Sequence, residues 1–277
     1  MQYLSALATF VASIGRGPII ALGLLIVLGG IGGIYESVAE AADARAYPAP
    51  GRMIDVGGYR LHINCVGTGS PTVVIDSGLG DWSASWSNSV QPQAATTTRV
   101  CTYDRAGMGF SEPGPLPRTA SRFAEELHTL LQRADIPGPY VLAGHSAGGY
   151  TVRLFAAAYP AEVVAVVLID STTPGQGAQA EAPTSTRWLS IATLPARVGL
   201  PRLLAGPLDL KTGMAPEIGN AYVANSVTPR SAQTGLDEFV GLSQGAADAG
   251  AVTSLGEVPL LVLSRTPGRD LEWDRKQ

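Results

Sequence analysis

The stretch with the clearest chemical potential is G-H-S-A-G at residues 144–148, a match to the pattern G-x-S-x-G. An apolar run at residues 141–143 precedes it, and small residues over 147–159 predict a helix directly after it. A serine at a sharp strand-to-helix turn is held in a strained backbone conformation, so its neighbours must be small. The pattern therefore indicates that Ser146 is a nucleophile with an exposed hydroxyl.

A glycine-rich loop, S-G-L-G at residues 77–80, follows an apolar run at 72–76 that predicts a buried strand. The two glycines beside Leu79 leave its backbone N–H free to face a developing oxyanion. The N–H of Ala147, at the start of the helix after the serine, is the natural second donor. Leu79 and Ala147 are thus the predicted oxyanion hole.

A serine nucleophile needs a base to take its proton, and a third group to orient that base. The chain has three histidines, and none follows Ser146. Alternation in the strand predicted at 59–66 places His62 on the solvent face, and His128 lies at the edge of a helical apolar stripe. His145 adjoins the serine, but successive backbone geometry points it away from the hydroxyl. We therefore expect no catalytic histidine in this chain.

From residue 53 onward, short strands alternate with helices, which predicts an α/β sheet. An amphipathic helix is predicted at residues 119–133. Predicted strands lie at 53–56, 59–66, 72–76, 99–103, 163–169 and 259–263.

Three motifs in order carry a family resemblance: D-R-x-G-x-G-x-S at residues 104–111, the G-H-S-A-G turn, and a strand that closes with Asp170. Together they resemble the α/β-hydrolase superfamily, in particular its serine-nucleophile esterase, lipase and peptidase-like members. The resemblance covers residues 52–173 and resumes at 258–265. It implies a mostly parallel sheet flanked by helices, in which Asp104 and Arg105 shape a loop rather than catalyse.

In this superfamily the order along the chain is serine, acid, histidine. The resemblance offers Asp170 as the acid, with Asp270 as the alternative. It also implies that residues 174–257, which show no strand pattern, form a helical lid insertion that shapes the substrate pocket. The base would lie after one further strand and ahead of a last helix, so we expect a C-terminally truncated hydrolase. Loss of the base costs on the order of 10⁶ in kcat, or about 8 kcal/mol.

The N-terminal region contains an uncharged run at residues 17–35, between Arg16 and Glu36. As a helix it would span the roughly 30 Å hydrocarbon core of a bilayer. We predict a membrane anchor with the catalytic domain extracytoplasmic, the alternative being a signal peptide whose cleavage releases a secreted protein. Residues 1–46 would form this segment and its linker, and 47–277 the hydrolase domain.

Charged residues make up 15% of the chain and the net charge is −4, which gives no sign of nucleic-acid binding. With neither a ligand cluster nor a nucleotide motif, no metal or organic cofactor is expected. Cys65 and Cys101 each lie in a predicted strand, and could form a disulfide or be two small buried hydrophobic residues.

These features together predict a hydrolase that cleaves small-molecule esters, or less readily amides and peptides, through an acyl-enzyme on Ser146. A serine at this turn argues against haloalkane dehalogenase and epoxide hydrolase chemistry, which use a carboxylate there in the superfamily. Two alternatives stay open: a catalytically silent binding protein that keeps the pocket, and an acyltransferase.

Overall fold

The computed structural model describes residues 16–175, 189–210 and 213–264. Within them, the strands are β1 (Arg52–Asp55), β2 (Arg60–Val66), β3 (Thr72–Asp76), β4 (Val100–Tyr103), β5 (Tyr140–His145), β6 (Val163–Ile169) and β7 (Leu260–Leu263). The α-helices are α1 (Arg16–Ala46), α2 (Ala84–Ser87), α3 (Val90–Ala94), α4 (Ala120–Arg133), α5 (Gly148–Ala158), α6 (Leu194–Arg197), α7 (Leu200–Ala205), α8 (Pro216–Ser226) and α9 (Pro229–Ala251). Two 3₁₀ turns cover Pro160–Glu162 and Leu189–Thr193.

The strands form one sheet in the order β1-β2-β4-β3-β5-β6-β7. The β1–β2 and β2–β4 pairs are antiparallel, and every other pair is parallel. The predicted mostly parallel sheet is therefore confirmed. Asp76, at the end of β3, is the register partner of Gly144 in β5. This pairing brings the loop after β3 beside the turn that carries Ser146, at the carboxyl edge of the sheet.

The main core lies where α4 and α5 pack on one face of the sheet. The apolar stripe of α4 is buried there against strand residues and Phe155 of α5. The hydroxyl of Thr119 accepts a hydrogen bond from the Arg122 N–H and caps the helix, as a threonine at this position commonly does. The buried members of the stripe are Phe123, Leu127, Leu130 and Leu131.

Cys65 and Cys101 are direct register partners in the antiparallel β2–β4 pair, and they form a disulfide. The sequence alone favours neither this disulfide nor the alternative of two small buried hydrophobic residues. The bond closes a loop with a sequence separation of 36 residues. In the chain-entropy description, a loop of this length stabilises the fold by about 3–4 kcal/mol.

Helix α1 has 31 residues and continues well beyond the apolar run that the sequence indicated. It is long and apolar enough to cross a bilayer, with a window of mean hydropathy 2.2 in which no residue is buried. The described residues of the 174–257 region form the 3₁₀ turn and helices α6 to α9, without a strand. The expected helical character of that region is thus observed there.

Candidate active site

Ser146 occupies the turn between β5 and α5 with φ = 50°, in the left-handed region that L-residues rarely adopt. Its N–H donates to the carbonyl of Ile169 at 3.2 Å. Its own carbonyl accepts from the N–H groups of Gly149 and Thr172, each at 3.1 Å. The strained serine is therefore fixed to strand β6 and to the loop that follows it.

The glycines around the serine are required by close backbone packing. A Cβ at Gly148 would lie 2.6 Å from the Ser77 carbonyl oxygen, and one at Gly144 would lie 2.7 Å from the Gly148 carbonyl oxygen. Both distances are shorter than real Cβ contacts, so the backbone would have to move. The small residues of the motif are what let the turn pack directly on the end of β3.

The hydroxyl of Ser146 is half-buried and lies 3.4 Å from the hydroxyl of Thr172. The Ser171 hydroxyl donates to the Ser146 carbonyl at 3.1 Å. Sequence reasoning did not select Ser171 or Thr172. The available signal was a run of hydroxyl residues directly after Asp170, which the parallel sheet brings to the same edge as the serine.

The two predicted oxyanion donors, Leu79 and Ala147, line the same small cavity of about 20 Å³. Its wall is mainly apolar, with Phe123 and Tyr150 among its members, and the side chain of Glu238 from α9 also reaches it. The structure therefore brings together the loop after β3, the start of α5 and the helical region. The cavity is small, and it adjoins the turn of Ser146 through the neighbouring residue Ala147.

The prediction that His62 faces solvent was wrong. His62 is completely buried, its Nδ1 lies 2.9 Å from Asp104 Oδ2, and its Nε2 meets the carbonyl oxygen of Pro50. Strand alternation failed because β2 is an interior strand whose second face is covered by the residues before β1 and by Phe110. Burial lowers the pKa of His62, but the hydrogen bond and charge of Asp104 outweigh it, so the pKa is raised.

The other two histidines also lie away from the serine hydroxyl. His128 is half-buried, stacks on Tyr159, and places Nε2 3.0 Å from Glu162 Oε1. The His145 ring lies edge-on to Trp86, and its buried Nδ1 has no hydrogen-bond partner among the described residues. All three histidines fall in the described part of the chain, and none is hydrogen-bonded to Ser146 Oγ there.

Asp170 directly follows β6 with φ = 41°, and its side chain is exposed. Its N–H donates to the Leu263 carbonyl at 2.6 Å, which ties it to β7. The strand next to β5 thus carries a carboxylate at the same edge of the sheet as Ser146. The alternative acid, Asp270, lies outside the described residues.

Arg105 is buried and holds the loop after β3 in place. Its guanidinium donates to the carbonyl oxygens of Ser77 and Gly78 at 2.7 and 2.5 Å, and to Asp76 at 2.8 Å. On its other side it binds Glu238 through Nε at 2.8 Å. Burial would lower the pKa of Arg105, but the charges of Glu238 and Asp76 raise it well above its usual range.

Glu238 completes this arrangement from helix α9. One carboxylate oxygen binds Arg105, while the other also accepts the Gly80 N–H at 3.0 Å. The glycine-rich loop is therefore clamped between the sheet and the helical region. Glu238 was not selected from the sequence, since nothing local in α9 shows that one of its carboxylates reaches 133 residues back along the chain.

Asp104 shapes the adjacent loop in the same way. Its two oxygens accept the N–H groups of Ser83 and Phe110 at 2.9 and 3.0 Å, in addition to the contact with His62. A buried carboxylate that accepts several hydrogen bonds organises the backbone around it. These contacts support the loop-shaping roles that the resemblance implied for Asp104 and Arg105.

The sheet order, the parallel central strands and the serine turn at their carboxyl edge define an α/β-hydrolase fold. Residues 71–190 match the family model described as the alpha/beta hydrolase fold. The matched stretch is 120 of the 277 residues, and the chain as described has this fold.

Known proteins give the same result for the fold. An uncharacterised protein of Schizosaccharomyces pombe is 30% identical in an alignment 155 residues long, which covers 46% of this chain and 29% of that protein. A 2-hydroxy-6-oxononadienedioate/2-hydroxy-6-oxononatrienedioate hydrolase of Cupriavidus pinatubonensis is 34% identical over 130 residues, 46% of this chain and 45% of that one. This chain therefore spans less than half the length of either relative.

Among solved structures, the Cif epoxide hydrolase from Acinetobacter nosocomialis superposes with a TM-score of 0.61. The sequence identity is 17%, and the match covers 81% of this chain and 80% of that one. A likeness at this identity speaks for the fold alone.

Proposed function

We propose that this chain is a serine-nucleophile hydrolase that acts on esters of small molecules. One observation carries the proposal: Ser146 has the strained positive φ of a nucleophile turn, beside a cavity that both Leu79 and Ala147 line. Amides and peptides are less favoured substrates, because their leaving group must be protonated and none of the three histidines is hydrogen-bonded to the serine hydroxyl.

In the proposed reaction, Ser146 Oγ attacks the ester carbonyl carbon and the carbonyl oxygen becomes an oxyanion. The N–H groups of Leu79 and Ala147 stabilise that charge, and water takes the serine proton. Collapse of the intermediate breaks the ester C–O bond, the leaving alkoxide takes a proton from water and departs as the alcohol, and the acyl group stays on the serine. Attack by water on this acyl-enzyme releases the acid. One preorganised donor of this kind is typically worth about 3–4 kcal/mol of transition-state stabilisation.

The proton of Ser146 is the weak point of this mechanism. The hydroxyl faces Thr172 rather than an imidazole, and the exposed carboxylate of Asp170 has no histidine to orient. We propose that Asp170 is the acid position of the superfamily and that the chain by itself turns over slowly. A hydroxyl without a base keeps only the contributions of binding and the oxyanion hole, which amount to about 10³–10⁴ over water.

The serine at the turn also argues against epoxide hydrolysis, the activity in the name of the Acinetobacter nosocomialis protein. In the superfamily, epoxide hydrolases use a carboxylate at the turn, and Ser146 stands there in this chain. An acyltransferase would share every feature above and differ only in whether water or another alcohol accepts the acyl group.

We further propose that α1 anchors the protein in a membrane with the hydrolase domain on its outer side. The support is the length and apolar surface of Gly17–Ala46. Arg16 before the apolar run, and acidic residues after it, fit this orientation under the positive-inside tendency.

The test uses the full chain in detergent, a fluorophosphonate probe and hydrolysis of a p-nitrophenyl ester. We expect slow labelling and faint turnover, both abolished in Ser146→Ala. Added imidazole should raise turnover of the native chain by supplying the base from solution, and should leave Ser146→Ala unchanged. Fast turnover without imidazole would contradict the proposal that Ser146 lacks a base. Absence of labelling with or without imidazole would overturn the nucleophile and favour a silent binding protein.

A further inference from the structure

Helix α1 is packed against the helical region at the point where its apolar run ends. A Cβ at Gly32 would lie 2.6 Å from the Val198 carbonyl oxygen, so the two backbones are in close contact. Gly199 lies against the ring of Tyr35 in the same way. Glu36, one turn after Gly32, is the first charged residue after the run. The segment that begins α7 therefore lies at the level where α1 would leave the hydrocarbon core.

An ion-pair network fixes this contact. Arg202 of α7 donates through Nε and Nη2 to the two carboxylate oxygens of Glu36, at 2.8 and 2.9 Å, and it also binds Asp43. Glu36 is 2% exposed, so this contact with Arg202 is a buried ion pair. The bidentate geometry sets both the position and the direction of α7 relative to α1.

The outer face of α7 is apolar. Leu200, Leu203 and Leu204 are spaced i, i+3, i+4, and thus share one side of the helix, yet all three are exposed. The small Ala205 is the buried residue instead. Leu208 and Leu210 continue the exposed apolar surface beyond the helix. This pattern is the reverse of a helix that packs by its leucines into the protein to which it belongs.

We infer that this leucine surface, made of Leu200, Leu203, Leu204, Leu208 and Leu210, is embedded in the lipid interface of the membrane that α1 crosses. The inference rests on the proposed anchoring by α1. The occupant is a bilayer because Val198 and Gly199, directly before α7, contact α1 at the point where its apolar run ends. Transfer of exposed leucine side chains from water to acyl chains is favourable, and an apolar helix beside polar residues suits this depth.

The embedded surface connects to the candidate active site through α9. Helix α6, directly before α7, packs against α9, and α9 carries Glu238, which lines the cavity and holds the glycine-rich loop. The helix that contributes Glu238 to the cavity wall therefore packs against α6, which directly precedes the membrane-embedded α7. This placement points to esters that partition into lipid as the substrate class of the proposed hydrolase.

The experiment places a fluorophore at single positions of the full chain in phosphatidylcholine vesicles that carry nitroxide-labelled acyl chains. Both native cysteines are in the disulfide, so an introduced cysteine is the one labelled. Leu203→Cys reports on the leucine surface, and Leu208→Cys repeats the measurement if the first variant folds poorly. Their side chains are 59% and 64% exposed.

Two positions serve as controls. Ile26→Cys, in the apolar part of α1, reports whether α1 is in the bilayer at all. Val164→Cys is exposed and apolar, but stands at the start of β6, on the edge of the sheet away from Ser146. Loss of most of the emission at Leu203 and Ile26, with Val164 unaffected, is the expected result.

The outcomes separate the inference from the proposals on which it builds. Quenching at Ile26 without quenching at Leu203 and Leu208 would overturn the embedded surface and leave the anchor in place. No quenching at Ile26 would overturn the anchor, and the embedded surface with it. None of these readings depends on turnover, so the hydrolase proposal is tested independently.

Discussion

Ser146 is held in a backbone conformation that costs on the order of 1–3 kcal/mol. The surrounding structure balances this cost with hydrogen bonds to Ile169, Gly149 and Thr172. It also does so with close packing of Gly148 on the end of β3, which no larger residue could match. The conformation of Ser146 thus depends on its neighbours and not on the serine alone.

Gly148→Ala tests this packing. The added Cβ would meet the carbonyl oxygens of Ser77 and Asp76 at 2.6 and 2.7 Å, and neither backbone atom can rotate away. We expect a loss of about 1–3 kcal/mol in the free energy of unfolding, typical of overpacking, with slower fluorophosphonate labelling of Ser146. Urea unfolding in detergent and the labelling rate are the two measurements.

Gly235→Ala is the matched control for that substitution. Gly235 lies inside α9, where a Cβ would meet nothing within 4 Å. Alanine there should stabilise the helix by about 0.5–1 kcal/mol and leave labelling unchanged. Equal effects of the two substitutions would contradict a steric requirement at Gly148.

At the scale of elements, the glycine-rich loop after β3 depends on a helix far away in sequence. Glu238 of α9 binds both Arg105 and the Gly80 N–H, while Arg105 binds the carbonyl oxygens of Ser77 and Gly78. The position of the Leu79 N–H therefore follows the position of α9. In this arrangement Glu238 is a positioning residue for the proposed oxyanion hole.

Glu238→Gln should loosen that loop. The amide keeps the shape of the side chain but loses the charge that balances Arg105, and its NH₂ cannot accept the Gly80 N–H. We expect fluorophosphonate labelling of Ser146 to slow by about 10-fold, equivalent to about 1.4 kcal/mol. The rate is measured on protein whose folded fraction has been verified by circular dichroism.

Asp237→Asn makes the same chemical change one residue earlier in the same helix. Asp237 accepts from Gln233 and is not bonded to the loop. Its labelling rate should match that of the native chain. If both variants slow labelling equally, the effect belongs to the helix as a whole and the positioning role of Glu238 is wrong.

The bounds of several elements agree with those that the sequence predicts. Strands β3 and β6 have the bounds that their apolar runs predicted, and α4 begins one residue after its predicted start because Thr119 is the cap. Period and capping are local properties, so a sequence reveals them. The glycine-rich motif likewise predicts a strained backbone at Ser146, where the structure has a positive φ, because small neighbours are visible in the adjacent residues.

The contacts that sequence reasoning missed are the distant ones. His62 reads as a solvent-facing residue in its own strand, and only the coverage of β2 by Pro50 and Phe110 buries it. The Arg105–Glu238 pair joins residues that are 133 positions apart in the sequence, and no local pattern predicts it. The polar residues that tertiary packing buries are therefore the part of this site that the sequence does not predict.

At the scale of the whole molecule, residues 47–51 connect α1 to the first strand, and side-chain contacts also join α1 to the rest of the protein. Arg202 links α7 to Glu36 and Asp43 of α1, and the close contact of Gly32 with Val198 adds to it. Under the proposed anchoring, a helix fixed in this way would orient the domain and not merely tether it. The orientation of the cavity relative to the bilayer would then be a property of the fold.

Arg202→Leu tests whether this orientation is real. The substitution leaves the carboxylate of Glu36 buried without its partner, and breaking such a pair typically costs about 3–5 kcal/mol. The contact between α1 and α7 should therefore open locally. We expect faster amide hydrogen exchange in residues 36–46 and in α7 when the full chain is measured in lipid nanodiscs, with the exchange of β3 and β5 unchanged.

Arg197→Leu removes an arginine of the same region whose side chain is exposed, and it should leave the exchange pattern as it is. Unchanged protection in Arg202→Leu would mean that the ion pairs contribute nothing to the junction, and the domain would then be free to turn about the linker. Increased exchange confined to the α1–α7 junction would instead show that one buried ion pair fixes how the domain faces the membrane. The leucines of α7 could then remain in the lipid only while Arg202 holds them there.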